Sequence, residues 1–163
     1  MSPKFGFLLP GDVLLYGSSG SLIDWSIQAK TGGIHTHVEV WEGNGNSVAS
    51  RNGIGVNRYP FREAQLITVR RSIQGFNQEL ATKYFLSVYG DGYDWIGLSA
   101  FWNIVTEDMP HKLFCSSFVR NYLRAGLVET FNPNINSVKI SPWDLNKTPV
   151  LKTIWENNIC LIP

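Results

Sequence analysis

The chain has 163 residues, 44% of them hydrophobic, with a formal net charge of +1. That length and composition support one domain over 1–163 with a proper core and exclude disorder, while the near-neutral charge argues against a nucleic-acid partner, which calls for a basic face. No run approaches the roughly 20 apolar residues of a membrane span, and residues 1–12 lack the apolar core and cleavage site of a secretory signal, so no transmembrane segment and a cytoplasmic location are expected.

In chain order, Pro10-Gly11-Asp12 turns into Val13-Leu14-Leu15-Tyr16, an apolar run read as a buried strand. After a loop at 17–20, Ser21 and Asp24 have capping-box spacing. Leu22, Trp25 and Ala29 share a face, and Gly32-Gly33 ends a helix over 21–30. Residues 35–41 alternate: His35, His37 and Glu39 point one way, and Thr36, Val38 and Val40 the other. Glu42-Gly43-Asn44-Gly45 is a hairpin loop and 47–51 its returning strand. Gly53 and Gly55 make another turn, and 66–70 is a further strand, so the middle third is an antiparallel sheet.

Asn77 caps a second helix with the apolar stripe Leu80, Ala81, Tyr84, Phe85 and Val88, stopped by Gly90 and Gly92. The aromatic stretch 93–112 yields no assignment. A third helix over 115–125 buries Phe118, Val119, Tyr122 and Leu123, keeps Arg120 and Arg124 outside, and stops at Gly126. The tail, with Pro142 and Pro149, reads as loop with a last strand near 159–162. The sum is an α+β domain. Its aromatic content of 13% is read as core in preference to a sugar- or acyl-binding groove.

Two cysteines are too few for a disulfide framework and lack the paired spacing of a zinc ribbon. A small buried core residue is the commoner fate of a lone Cys, and Cys160, between Ile159 and Leu161, fits it. Cys115 differs because it falls where a helix begins. There the free N–H groups and the helix dipole favour a thiolate, the form that acts as a nucleophile. The same N–H groups can receive an oxyanion. Ser116 and Ser117 follow, small enough to let a substrate approach. His37 shares its strand face with His35 and Glu39, and such a polar face is either exposed or a site. His-x-His-x-Glu is similar to a metal-ligand set, but no further His or carboxylate motif completes it, so neither a metal nor another cofactor is expected.

Five segments occur in a telling order: Gly11-Asp12-Val13-Leu14-Leu15, His35-Thr36-His37-Val38-Glu39-Val40, Gly53-Ile54-Gly55-Val56, Phe114-Cys115-Ser116-Ser117-Phe118-Val119 and Ile140-Ser141-Pro142-Trp143-Asp144-Leu145. Over roughly residues 10–146 they resemble the permuted papain-like amidases (the YiiX-like group), relatives of bacterial cell-wall cysteine hydrolases and of lecithin:retinol acyltransferase. The resemblance implies a circularly permuted papain-like α+β fold, its antiparallel sheet packed on helices and its nucleophile at a helix N-terminus. It implies Cys115 as nucleophile, His37 as general base, and Tyr93 as an oxyanion donor, with a packed aromatic as the other reading of Tyr93. The family's third polar residue, across the hairpin from the His, reads Ala49 or Ser50 here. Glu39, or in second place Ser50, is the expected orienter of His37.

The implied activity is hydrolysis of an amide, in a peptide or peptidoglycan stem, through a thioester. Acyl transfer or thioester hydrolysis on lipid substrates, and a binding module that has lost the chemistry, are the alternatives. A cell-wall enzyme without an export signal suits a phage-encoded protein released by lysis or carried in a virion as well as a bacterial one.

Overall fold

The structure is a computed structural model, and it describes residues 3–93 and 111–157. Its centre is a six-stranded antiparallel sheet in the order β4-β3-β2-β1-β5-β8. The strands are β1 (Val13–Tyr16), β2 (His37–Gly43), β3 (Asn46–Arg51), β4 (Gly55–Pro60), β5 (Leu66–Ser72) and β8 (Leu151–Glu156). Among the described residues, helices α1 (Leu22–Thr31), α2 (Gln78–Ser87), α3 (Cys115–Ala125) and α4 (Pro142–Lys147) join the sheet in an α+β architecture. A two-stranded parallel ribbon, β6 (Gly92–Tyr93) with β7 (Lys112–Leu113), leads into α3.

Both faces of the sheet are covered. Val13, Leu15, Val38, Val40, Val48 and Val56 pack against Phe85 of α2 and Phe118, Val119, Tyr122 and Leu123 of α3. On the opposite face Leu14, Tyr16, Trp41, Leu66 and Val69 pack against Phe5 and Leu8. β1 is therefore buried on both sides, which is why it reads as an unbroken apolar run. β4, which the sequence reading passed over, is an edge strand that carries exposed Arg58 and Pro60, as edges do.

The hairpin β2–β3 turns through Asn44 and Gly45 at φ 51° and 79°, the two left-handed positions of a tight hairpin. α3 occupies the predicted residues, but Gly126 does not end it in the left-handed region: Gly126 has φ −79°, and Leu127 takes φ 67°. Gly126 is required for space, since a Cβ there would stand 2.4 Å from the ring of Phe76. The same ring lies 2.5 Å from where a Cβ would fall on Gly11, at φ 93°, so the Gly-Asp turn and the end of α3 clamp one aromatic. Asp12, fully buried, accepts both guanidinium bonds of Arg71 at 2.7 Å and the Leu9 N–H at 2.8 Å.

Several expectations need correction. The shared face of α1 points to solvent: Leu22 is 85% and Trp25 69% exposed, and Ile27 and Asp24 are the buried positions. Ser21 caps α1 through the Asp24 N–H, but the Asp24 carboxylate turns to Ser19 instead of completing a box. Arg120, expected outside, is buried and donates to the Asn132 carbonyl. The tail holds α4, with Pro142 in its first turn and Ser141 and Asp144 in a capping box, and the last described strand is Leu151–Glu156. Cys160 and the strand expected near 159–162 lie outside the described residues.

Candidate active site

Among the described residues, three of the four α-helices have a side-chain cap. Ser21, Asn77 and Ser141 accept first-turn N–H groups of α1, α2 and α4. α3 begins after Phe114, which offers no such acceptor, and Ser117 turns back to the Phe114 backbone. The first turn of α3 therefore keeps its N–H donors and its positive end for Cys115 and whatever meets it. The approach to Cys115 is fixed by hydrogen bonds across the fold. Ser50 donates to the Leu113 carbonyl, and the Val56 N–H donates to the Asp91 carbonyl at 2.8 Å. Gly55 makes that close approach possible: at φ 87°, a Cβ would lie 2.1 Å from the Asp91 oxygen.

His37 opens β2 opposite Tyr16. Its Nε2 is 3.0 Å from Glu39 Oε1, and Cys115 is the ring's other electrostatic partner. Burial pulls the imidazole pKa down, but the hydrogen bonds to Cys115 and Glu39 outweigh it and carry it up to about 9. Glu39 is fully buried. Burial pushes its carboxyl up, and the His37 hydrogen bond, the His37 and Arg51 charges and the Ser47 hydroxyl overcome this, bringing it down to about 2. Arg51 reaches Oε1 with Nε at 2.9 Å and Nη2 at 2.7 Å, and Ser47 donates to Oε2. At neutral pH the site thus holds a charged Glu39 carboxylate and a protonated His37 imidazole beside Cys115.

The structure brings Cys115, His37, Glu39 and Tyr93 to one place. Tyr93 ends β6, pairs with Leu113 two residues before Cys115, and lines the same cavity as His37, a space of about 230 Å³. Cys115 itself is 3% exposed. Three expectations fail here. His35 does not share a face with His37, because β2 starts only at His37. The His35 ring turns to Thr68 at 3.0 Å and stacks on Trp143, and burial, with the Arg70 charge, lowers its pKa to about 4. Ser50 does not orient His37; it lies on the helix-covered face beside Val48 and serves the Leu113 carbonyl. Ser116 does not face substrate, since it is buried and its hydroxyl donates to the Ile140 carbonyl at 2.6 Å; Ser117 is buried too.

Arg51, Arg62 and Ser47 were missed. Register gave a usable signal for two of them. Val40 faces Val48 and Trp41 faces Ser47, so the same count puts Arg51 opposite His37 and Ser47 on the Glu39 face. Arg62 comes from the loop after β4, and no periodicity places it.

No family model and no curated protein matches the chain. Among solved structures, it is similar to that of the metalloprotein YiiX from Escherichia coli O157:H7, DUF1105. The two share 17% identity at a TM-score of 0.67, over 91% of this chain and 97% of that one. At such identity the likeness is one of fold. The residues here do not suit a metal ion. Among the described residues no three His, Cys, Asp or Glu side chains gather to hold one, and Glu39 is already engaged by His37, Ser47 and Arg51, with the Arg62 guanidinium close by. What the chain shares with YiiX is a six-stranded antiparallel sheet with few helices, in an α+β fold.

Proposed function

We propose that this chain is a cysteine-dependent hydrolase of the permuted papain-like kind, cleaving an amide in a peptide or peptidoglycan stem through a thioester on Cys115. The observation that carries this reading is that His37 interacts with both Cys115 and Glu39, and that Cys115 opens a helix with no side-chain cap. The order of the chain supports the permuted form, because the His strand precedes the Cys helix.

In the reaction, the proton given up by Cys115 resides on His37 as Sγ attacks the amide carbonyl and forms the C–S bond. The oxyanion meets the N–H groups of the first turn of α3, with the Tyr93 hydroxyl as a second donor. His37 gives its proton to the leaving amine as the C–N bond breaks. A water then attacks the thioester, His37 takes its proton, and the acid leaves as the thiol is restored. Glu39 holds the ring at Nε2 and stabilises its positive charge; it is a positioning residue. Arg51 and Ser47 fix Glu39 in turn.

The test is incubation with peptidoglycan stem peptides, with rapid quenching and mass analysis. The expected result is an acyl adduct on Cys115 and free amine product, both lost in Cys115→Ala. Turnover retained by Cys115→Ala would remove Cys115 as nucleophile.

A further inference from the structure

A buried carboxylate needs compensating donors, and Glu39 has them without Arg62. Its Oε1 meets His37 Nε2 at 3.0 Å and Arg51 at 2.9 and 2.7 Å, and its Oε2 takes the Ser47 hydroxyl. The nearest Arg62 nitrogen stands 3.7 Å from Oε1, beyond hydrogen-bond range. Arg62 Nε is buried with no hydrogen-bond partner, and the guanidinium lies over the Tyr16 ring, 4.4 Å from its centre. The side chain is 35% exposed and lines the cavity beside His37. A planar cation fixed on an aromatic face, with its Nε unpaired, suits a carboxylate. The rest of the lining agrees. Arg51, Arg62 and His37 are set against one acid, Asp24, whose Oδ2 already accepts the Ser19 N–H at 2.7 Å and the Ser19 hydroxyl at 2.6 Å. An apolar acyl chain here would leave these donors without partners.

We propose that this cavity is an anion subsite in which Arg62, assisted by Arg51, selects substrates with a carboxylate beside the scissile amide. The word "scissile" rests on the hydrolase reading; the anion preference of the cavity does not. The substrate class is thereby narrowed to acidic peptides and other amides carrying a carboxylate near the bond that breaks.

The experiment compares alkylation of Cys115 by iodoacetate and by iodoacetamide at pH 7. In both reactions Sγ forms a bond to the methylene carbon as iodide leaves, and only the charge of the reagent differs. The readout is the ratio of the two rates, relative to the same ratio for N-acetylcysteine. For the wild type this relative ratio is expected to be about tenfold or more above one at low salt, falling several-fold as salt screens the cavity. Arg62→Gln is expected to lower it by at least about threefold, and Arg62→Lys to restore part of the loss. A raised ratio that is the same in Arg62→Gln assigns the preference to His37 and overturns the proposal, as does a salt-independent ratio near one in the wild type. If Arg62→Gln does not fold, Arg62→Lys takes its place: a ratio below the wild type's supports the proposal, and an unchanged ratio overturns it. An Arg62-dependent ratio in a protein that hydrolyses no stem peptide keeps the subsite and rejects the peptidoglycan-stem hydrolase. Labelling of Cys115 by neither reagent overturns both.

Discussion

His35 and His37 are two residues apart, and the sheet sends them into opposite electrostatic environments. His35 sits before β2 begins, stacked on Trp143 with Thr68 as its hydrogen-bond partner and the Arg70 charge nearby, and its pKa falls to about 4. His37 is the first residue of the strand, and its ring bonds to Cys115 and Glu39, which raise it to about 9. Burial lowers both values; the difference comes from whether a negative partner is present. One histidine is held neutral as packing, and the other is held charged between a thiol and a carboxylate.

The largest effect expected from breaking this contrast is on turnover. His37→Gln should lower kcat/KM on a stem peptide by about 10²- to 10⁴-fold, the usual range for losing a general acid–base, whereas His35→Leu should leave it unchanged. Steady-state kinetics on the two variants checks this, and equal losses would erase the distinction.

Next is Glu39→Gln, which keeps the shape but removes the charge. A loss of up to about 10²-fold is expected from a misplaced ring. An alkaline limb of kcat/KM is expected near pH 9 in the wild type through His37, and the substitution should move it to lower pH. A drop in rate with an unmoved limb would make Glu39 structural only.

The two histidines also tilt stability in opposite directions. Between about pH 4 and 6.5 the unfolded chain takes up the His35 proton and the folded one does not, so His35 makes stability rise with pH. Between 6.5 and about 9 the folded chain holds the His37 proton longer, so the stability His37 contributes, full below 6.5, is lost as pH rises through 9. Denaturant midpoints across pH should flatten on the acid side in His35→Leu and on the alkaline side in His37→Gln. Smaller still is Ser50→Ala. It strands the Leu113 carbonyl and should lower stability by about 1–3 kcal/mol in urea unfolding, with no shift of the pH limbs.

Much of this contrast was legible in the sequence, and its gaps have physical reasons. The spacing of His37 and Glu39 predicted that they share a face, and Cys115 was placed at a helix start by the periodicity after it. The same alternation misplaced His35, because a period of two holds only inside a strand and β2 starts one residue later than Thr36. The helical wheel grouped Leu22 and Trp25 correctly but could not say which way the group points. α4 was hidden by Pro142, although a proline in the first turn and the Ser141–Asp144 spacing are themselves start signals. Arg62 depends on a loop laid over Tyr16, a tertiary contact with no local signature.

The most direct measurement is a pH titration of both imidazoles in one set of ¹H–¹⁵N spectra of the wild type. The expected result is two widely separated midpoints, His37 at about 9 and His35 at about 4, with the His37 midpoint falling in Cys115→Ala. Two midpoints together near the ordinary ~6.5 would contradict the coupling of His37 to Cys115 and Glu39, and with it the catalytic reading of the site.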